Sequence, residues 1–128
     1  MKKAILLSAL LAGSALALGA TPAAAWETLG SRQVNLGNDH DTIQVEGHAR
    51  YARIKLCVAN RAVRFHDLDV NFRNGGHQDV AIRALIPVGG CTRNIDLEGG
   101  RRDIRNIQLR YETAGINVQH AYVTVYGE

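Results

Sequence analysis

FHDLDVNFRNGGHQDVAIRAL, residues 65–85, decides the fold. Leu68, Val70 and Phe72 alternate with Asp69, Asn71 and Arg73, the period-two pattern of a strand buried on one face. Val80 and Ile82 alternate in the same way with Asp79, Ala81 and Arg83. Asn74, Gly75 and Gly76 lie between the two runs, where positive φ costs little. Directly opposed residues share a face, so the two apolar rows must meet. A two-residue turn at Asn74-Gly75 sets Val70 against Asp79 and places a carboxylate in the apolar row. A three-residue loop, 74–76, instead predicts Val70 opposite Val80 and Leu68 opposite Ile82. It also predicts Asp67 opposite Arg83 and Asn71 opposite Asp79, with Gly75 or Gly76 closing the loop in the left-handed region. A five-residue loop keeps the same facing.

Outward from this hairpin, short apolar runs recur about every ten residues with glycine between them. Ala52, Ile54, Leu56 and Val58 share one face of a strand, with Arg53, Lys55 and Cys57 on the other. Val63 and Phe65 are out of phase with Leu68, which predicts a bulge or bend at His66-Asp67. Residues 91–97 read as a strand with Ile95 and Leu97 inward. Ile107, Leu109 and Tyr111 share a face, with Ile104 again out of phase. Ala121, Val123 and Val125 close the pattern, and Tyr122 and Tyr126 point the opposite way. No convincing segment of helical period follows residue 25. The reading is all-β: an antiparallel, jelly-roll-like β-sandwich of about seven to nine short strands.

The first 25 residues read as a cleaved signal peptide. Lys2 and Lys3 form a positive start, Ile5 to Ala20 is apolar, and Ala23, Ala24 and Ala25 make a small-residue exit. The domain then spans residues 26–128, enough for one modest core. No later stretch is long and apolar enough to span a bilayer as a helix, so the processed chain is expected not to be membrane-spanning. Of the 15 basic residues two lie in the leader, which leaves 13 against 12 acidic ones and a net charge of +1. That balance gives no electrostatic case for nucleic acid. Trp26, beside the exit, either tucks into the end of the core or marks a loose terminus.

Cys57 and Cys91 are the only cysteines. In an exported chain one intramolecular disulfide is the economical reading. Two buried thiols or an intermolecular bridge remain open.

The framework Trp26-x-x-Leu29-Gly30, Asp39-x-Asp41-x-Ile43-x-Val45, Ile54-x-Leu56 and Val70-x-Phe72-x-Asn74-Gly75 continues through Ile95-Asp96-Leu97-x-Gly99. It ends on Arg102-x-Ile104-x-x-Ile107-x-Leu109-x-Tyr111. In this order the motifs resemble a family of small, uncharacterised, exported bacterial β-sandwich proteins of unknown function. The resemblance implies a sandwich and an envelope location, and transfers no catalytic residue. The paired cysteines lie outside that pattern.

Catalytic signals are sparse. Residues 26–128 hold one serine, Ser31, and one lysine, Lys55, neither in a nucleophile–base motif. Asp67, Asp69 and Asp79 fall on one hairpin face, where the expected register balances them with Arg83 and Asn71. The histidines His40, His48, His66, His77 and His120 show no metal-ligand spacing. Asp39, His40 and Asp41 are the metal candidates, although the glycine and distal glutamate of a calcium loop are missing. Residues 37–41 read more simply as a turn. Arg101, Arg102 and Arg105 form a basic patch suited to an anionic glycan or lipid headgroup. Tyr122 and Tyr126 offer an exposed aromatic pair. These five are the candidate ligand-binding residues, and no cofactor is expected.

The sequence thus predicts a non-catalytic, periplasmic or secreted binding module whose partner is an unknown envelope protein or glycan. A small periplasmic inhibitor or accessory subunit of an envelope enzyme is the alternative, and a carboxylate-dependent hydrolase the third. An exposed apolar or aromatic patch favours the first two; a pocket holding perturbed carboxylates favours the third.

Overall fold

The computed structural model describes residues 25–113 and 119–128. Apart from Ala25, the leader expected over residues 1–25 lies outside the described residues.

The central hairpin is β5 (Val63–Phe72) and β6 (His77–Ile86). Around it lie β4 (Arg53–Ala59) and β7 (Ile95–Asp96), then β2 (Asn38–Gln44) and β8 (Arg102–Thr113). Outermost are β1 (Glu27–Gln33) and β9 (Tyr122–Gly127). β5 pairs with β6, β4 with β7, β2 with β8 and β1 with β9, all antiparallel. This is one long ribbon, folded at the β5–β6 turn and rolled up, so successive pairs fall alternately into two sheets. One sheet runs β1-β9-β4-β7 and the other β2-β8-β5-β6, with the two-residue β3 (Arg50–Tyr51) added alongside β8. The jelly-roll expectation holds: nine strands in two antiparallel sheets, with no helix among the described residues.

The core lies between the sheets and is filled by the rows read from the sequence. Leu68, Val70 and Phe72 meet Ile104, Ile107, Leu109 and Tyr111 from β8, facing Ile54, Leu56, Val123 and Val125 from the opposite sheet. Each large side chain buried in this way contributes about 1.5–3 kcal/mol. Both phase slips are bulges: the ladders shift between Phe65 and Asp67, and between Asn71 and Phe72, where Arg105 is the extra residue on β8. The first shift also takes Arg83, on the facing strand, to φ 48°.

The hairpin register differs from the expected one by two residues. The loop has three residues, but they are 73–75: Phe72 N donates to Gly76 O, and Gly75 (φ 97°) N donates to Phe72 O. Val70 therefore opposes Gln78, Leu68 opposes Val80, Asp67 opposes Ala81 and Asn71 opposes His77. An even shift preserves which face each residue occupies and changes only its partner. The cause is Gln78, which takes a buried place in the apolar row. Its Nε2 donates to Asp96 O at 3.1 Å, and its Oε1 accepts from Glu98 N at 2.8 Å. A polar side chain is stable there because both ends of its amide are bonded.

Smaller expectations also shift. The turn before β2 is confined to Leu36 and Gly37 (φ 85°), and β2 starts at Asn38. The strand expected over residues 91–97 shrinks to Ile95–Asp96. Trp26 lies half-buried outside the core, with Lys55 Nζ 4.5 Å from its ring centre. Cys57 and Cys91 form a disulfide that fastens β4 to the segment entering β7. Among the described residues no helix is long and apolar enough to cross a membrane.

Candidate functional site

Strand alternation sends one side chain in two to the outer face of the β2-β8-β5-β6 sheet. Cross-strand pairing arranges them there in three rows. His40, Arg110, Asp67 and Ala81 make the first; Thr42, Gln108, Asp69 and Asp79 the second; Gln44, Asn106, Asn71 and His77 the third. The first two rows line a cavity of about 510 Å³ spanning all four strands. None of the large exposed apolar side chains, Leu36, Leu85, Val88 and Tyr122, lies in it. The side chains that these two rows turn outward into this trough are polar except for Ala81.

Its electrostatics are uneven. Arg110 Nη1 bonds Asp67 Oδ2 at 2.9 Å, so Asp67 finds its cation on β8 instead of at Arg83. Asn71 Nδ2 donates to Asn106 Oδ1 at 2.8 Å. Asp69, however, stands directly opposite Asp79. A hydrogen bond shared with Asp79, then burial and the Asp79 charge, push the Asp69 carboxyl above its ordinary range. Asp69 Oδ1 is shut off from solvent and has no hydrogen-bond partner. His77 completes a group in which one ligand atom each from Asp69, His77 and Asp79 lies within 4.8 Å of the others.

The other candidates are dispersed. In β2, Asp41 turns inward, where Arg32 Nε holds one oxygen at 2.8 Å and the Tyr111 hydroxyl donates to the other at 2.6 Å. His40 turns outward into the trough, and Asp39 accepts from Asn35 Nδ2 at 2.7 Å. The three do not converge as a ligand set. Arg101 Nη2 donates to Arg50 O, and Arg102 stacks on Phe72 at 3.6 Å while donating to Glu98 O. Arg105 is exposed at its bulge. Tyr122 and Tyr126 lie on the outer face of the opposite sheet, flanking Thr124 on β9. Arg102 and Arg105 thus lie on β8, with Arg101 just before it, while the tyrosines lie on the other sheet. His66, at the bulge, lies 3.8 Å from Glu112.

Sequence reading placed Asp67, Asp69 and Asp79 on one face but left Thr42, Gln108, Arg110 and His77 out of the site. The available signal was the polar alternation of residues 40–44 and 106–110. It becomes a site only when β2 and β8 are known to lie beside β5.

No curated protein matches the chain. A solved structure of Pseudomonas aeruginosa AlgX is similar at 12% identity and a TM-score of 0.45, over 78% of this chain and 26% of that one. The chain therefore spans about a quarter of AlgX's length. Residues 4–127 match a domain of unknown function, DUF2541, and the chain belongs to that family.

Proposed function

We propose that the protein is a non-catalytic binding module of the cell envelope, and that its ligand is a glycan lying across the trough of the β2-β8-β5-β6 sheet. One observation carries the reading. Four adjacent strands present hydroxyl, amide, carboxylate, guanidinium and imidazole groups into one cavity of about 510 Å³. That volume lies within the range of small-molecule sites. A polyhydroxylated ligand offers a donor and an acceptor at each hydroxyl and can match such a mixed lining. A protein partner would call for large exposed apolar or aromatic anchors at the centre, and none of Leu36, Leu85, Val88 and Tyr122 lies in the trough. The signal-like start of the sequence and the disulfide support a periplasmic or secreted location.

The test is retention of the protein on immobilised envelope glycans, in an array and from an envelope extract. Retention that weakens on Gln108→Ala is the expected result. Absence of retention on every glycan class, or retention indifferent to Gln108 and Thr42, overturns the reading.

One observation favours a second reading, a hydrolase. Asp79, directly opposite, pushes the Asp69 carboxyl above its ordinary range, and a carboxylate pair of that kind can divide acid and base roles. Glycoside hydrolysis, however, needs its two carboxylates about 5 Å or more apart on either side of the scissile bond, not bonded to each other. Turnover of glycan, ester, peptide or phosphoester substrates that is lost in Asp69→Asn would establish this second reading.

A further inference from the structure

The β5–β6 ladder holds two like-charged side chains in the arrangement that sheets ordinarily avoid. Asp69 faces Asp79 directly, and opposed like charges destabilise a strand pair. The register cannot slip to relieve this. Gly75 fixes the turn, and Gln78, on the other face, is tied to the backbone at Asp96 and Glu98. Arg110, which lines the same cavity, does not serve the pair: it is taken by Asp67. A buried acceptor without a donor is a second, separate cost, and Asp69 Oδ1 is one. His77 stands on the same outer face, next to Asp79 along β6, and adds a nitrogen ligand within the same 4.8 Å group.

We propose that Asp69, His77 and Asp79 form a binding site for a divalent first-row transition cation, with Zn²⁺ the best matched, at the end of the trough. Two carboxylates neutralise a dication, and the ion satisfies the orphaned Asp69 oxygen. One imidazole with two carboxylates suits zinc or its neighbours better than calcium, which takes six to eight oxygen ligands. His77 and Asp79 are exposed, so their side chains can close around an ion at about 2.0–2.2 Å. Three protein ligands leave at least one position of a tetrahedral ion open, toward the cavity that Asp69 and Asp79 line. An ion there can take a ligand oxygen directly. The inference thus deepens the glycan reading, but the ion is measured with no glycan present.

The experiment is calorimetric titration of metal-stripped protein with Zn²⁺, Mn²⁺ and Ca²⁺, alongside Co²⁺ absorption spectra. Wild type, His77→Ala and Asp79→Asn are compared. The expected result is one Zn²⁺ per chain, a Co²⁺ visible band, and affinity falling on the order of tenfold or more in each variant. Zn²⁺ should raise the melting temperature of wild type and not of the variants. Asp79→Asn removes a like charge, so without metal it should melt no lower than wild type, which separates a lost ligand from a lost fold. Absence of stoichiometric Zn²⁺ binding, or binding unchanged in both variants, overturns the proposal. Zinc bound without glycan retention would sink the glycan reading alone; retention without zinc would sink only the metal site.

Discussion

Tyr111 donates its hydroxyl hydrogen to Asp41 Oδ2 at 2.6 Å, and both residues are buried. The same hydroxyl oxygen accepts from Asn35 N at 2.8 Å, and Arg32 Nε closes on the other Asp41 oxygen. A phenol on β8 thereby fixes the β1–β2 connection, which carries the chain from one sheet to the other.

Tyr111→Phe should destabilise the fold by about 1–3 kcal/mol, because it strands the Asn35 N–H and one Asp41 oxygen. The effect has a pH signature. Burial, then the bond to Asp41, pushes the Tyr111 phenol well above its ordinary value of 10. In the unfolded chain it ionises near that ordinary value. Above it the unfolded state holds fewer protons than the native state, so stability falls as pH rises. The contribution is complete below pH 10 and is lost at up to about 1.4 kcal/mol per pH unit above it. Urea midpoints between pH 8 and 11 should fall more steeply for wild type than for Tyr111→Phe. Parallel slopes would show that the phenol is not linked to folding.

The Cys57–Cys91 bridge joins residues 34 apart in sequence. In the chain-entropy account a loop of this size stabilises the fold by about 3–4 kcal/mol. Denaturation with and without reductant should show a loss of that order, and a Cys57→Ala/Cys91→Ala double variant should match the reduced protein. Equal midpoints in the two conditions would count against any stabilising role.

How far the sequence could be read follows from which forces act locally. Period-two alternation at Leu68, Val70, Phe72, Val80 and Ile82 reports burial, and burial decides facing, so the sandwich, the bulge at His66-Asp67 and the phase slip at Ile104 were legible. Pairing partners were not. The choice between loops 74–76 and 73–75 turns on Gln78, whose amide is satisfied by Asp96 and Glu98 from another strand and loop. Nothing near Gln78 in sequence announces those partners. The trough was hidden for the same reason: Thr42, Gln108, Asp69 and Asp79 come from four strands and meet only through the roll of the ribbon. The Cys57–Cys91 pairing was legible because two cysteines allow only one intramolecular bridge.

Gln78→Ala tests what holds the register. It removes a donor to Asp96 O and the acceptor for Glu98 N, leaving both backbone groups to find other partners. A loss of about 1–3 kcal/mol is expected, with faster amide exchange at Glu98 and Leu97. Unchanged stability and exchange would mean that the Gly75 turn alone sets the pairing.

The sharpest functional prediction compares the two outer faces. Thr42 and Gln108 belong to the trough; Tyr122 and Tyr126 lie on the opposite sheet. These positions point away from the core, so truncating either pair should leave stability within about 1 kcal/mol of wild type. If a glycan lies across the trough, Thr42→Ala with Gln108→Ala removes two hydrogen-bonding groups. At about 1 kcal/mol each, that weakens binding by on the order of tenfold or more. Tyr122→Ala with Tyr126→Ala should leave the same binding curve in place. Retention on a panel of immobilised envelope glycans, measured for wild type and both double variants, decides between the faces. The reverse pattern, binding lost with the tyrosines and kept without Thr42 and Gln108, would move the ligand to the β1-β9-β4 face. There an aromatic pair four residues apart on one strand is the recognition element, and the trough carboxylates play no part in holding the glycan.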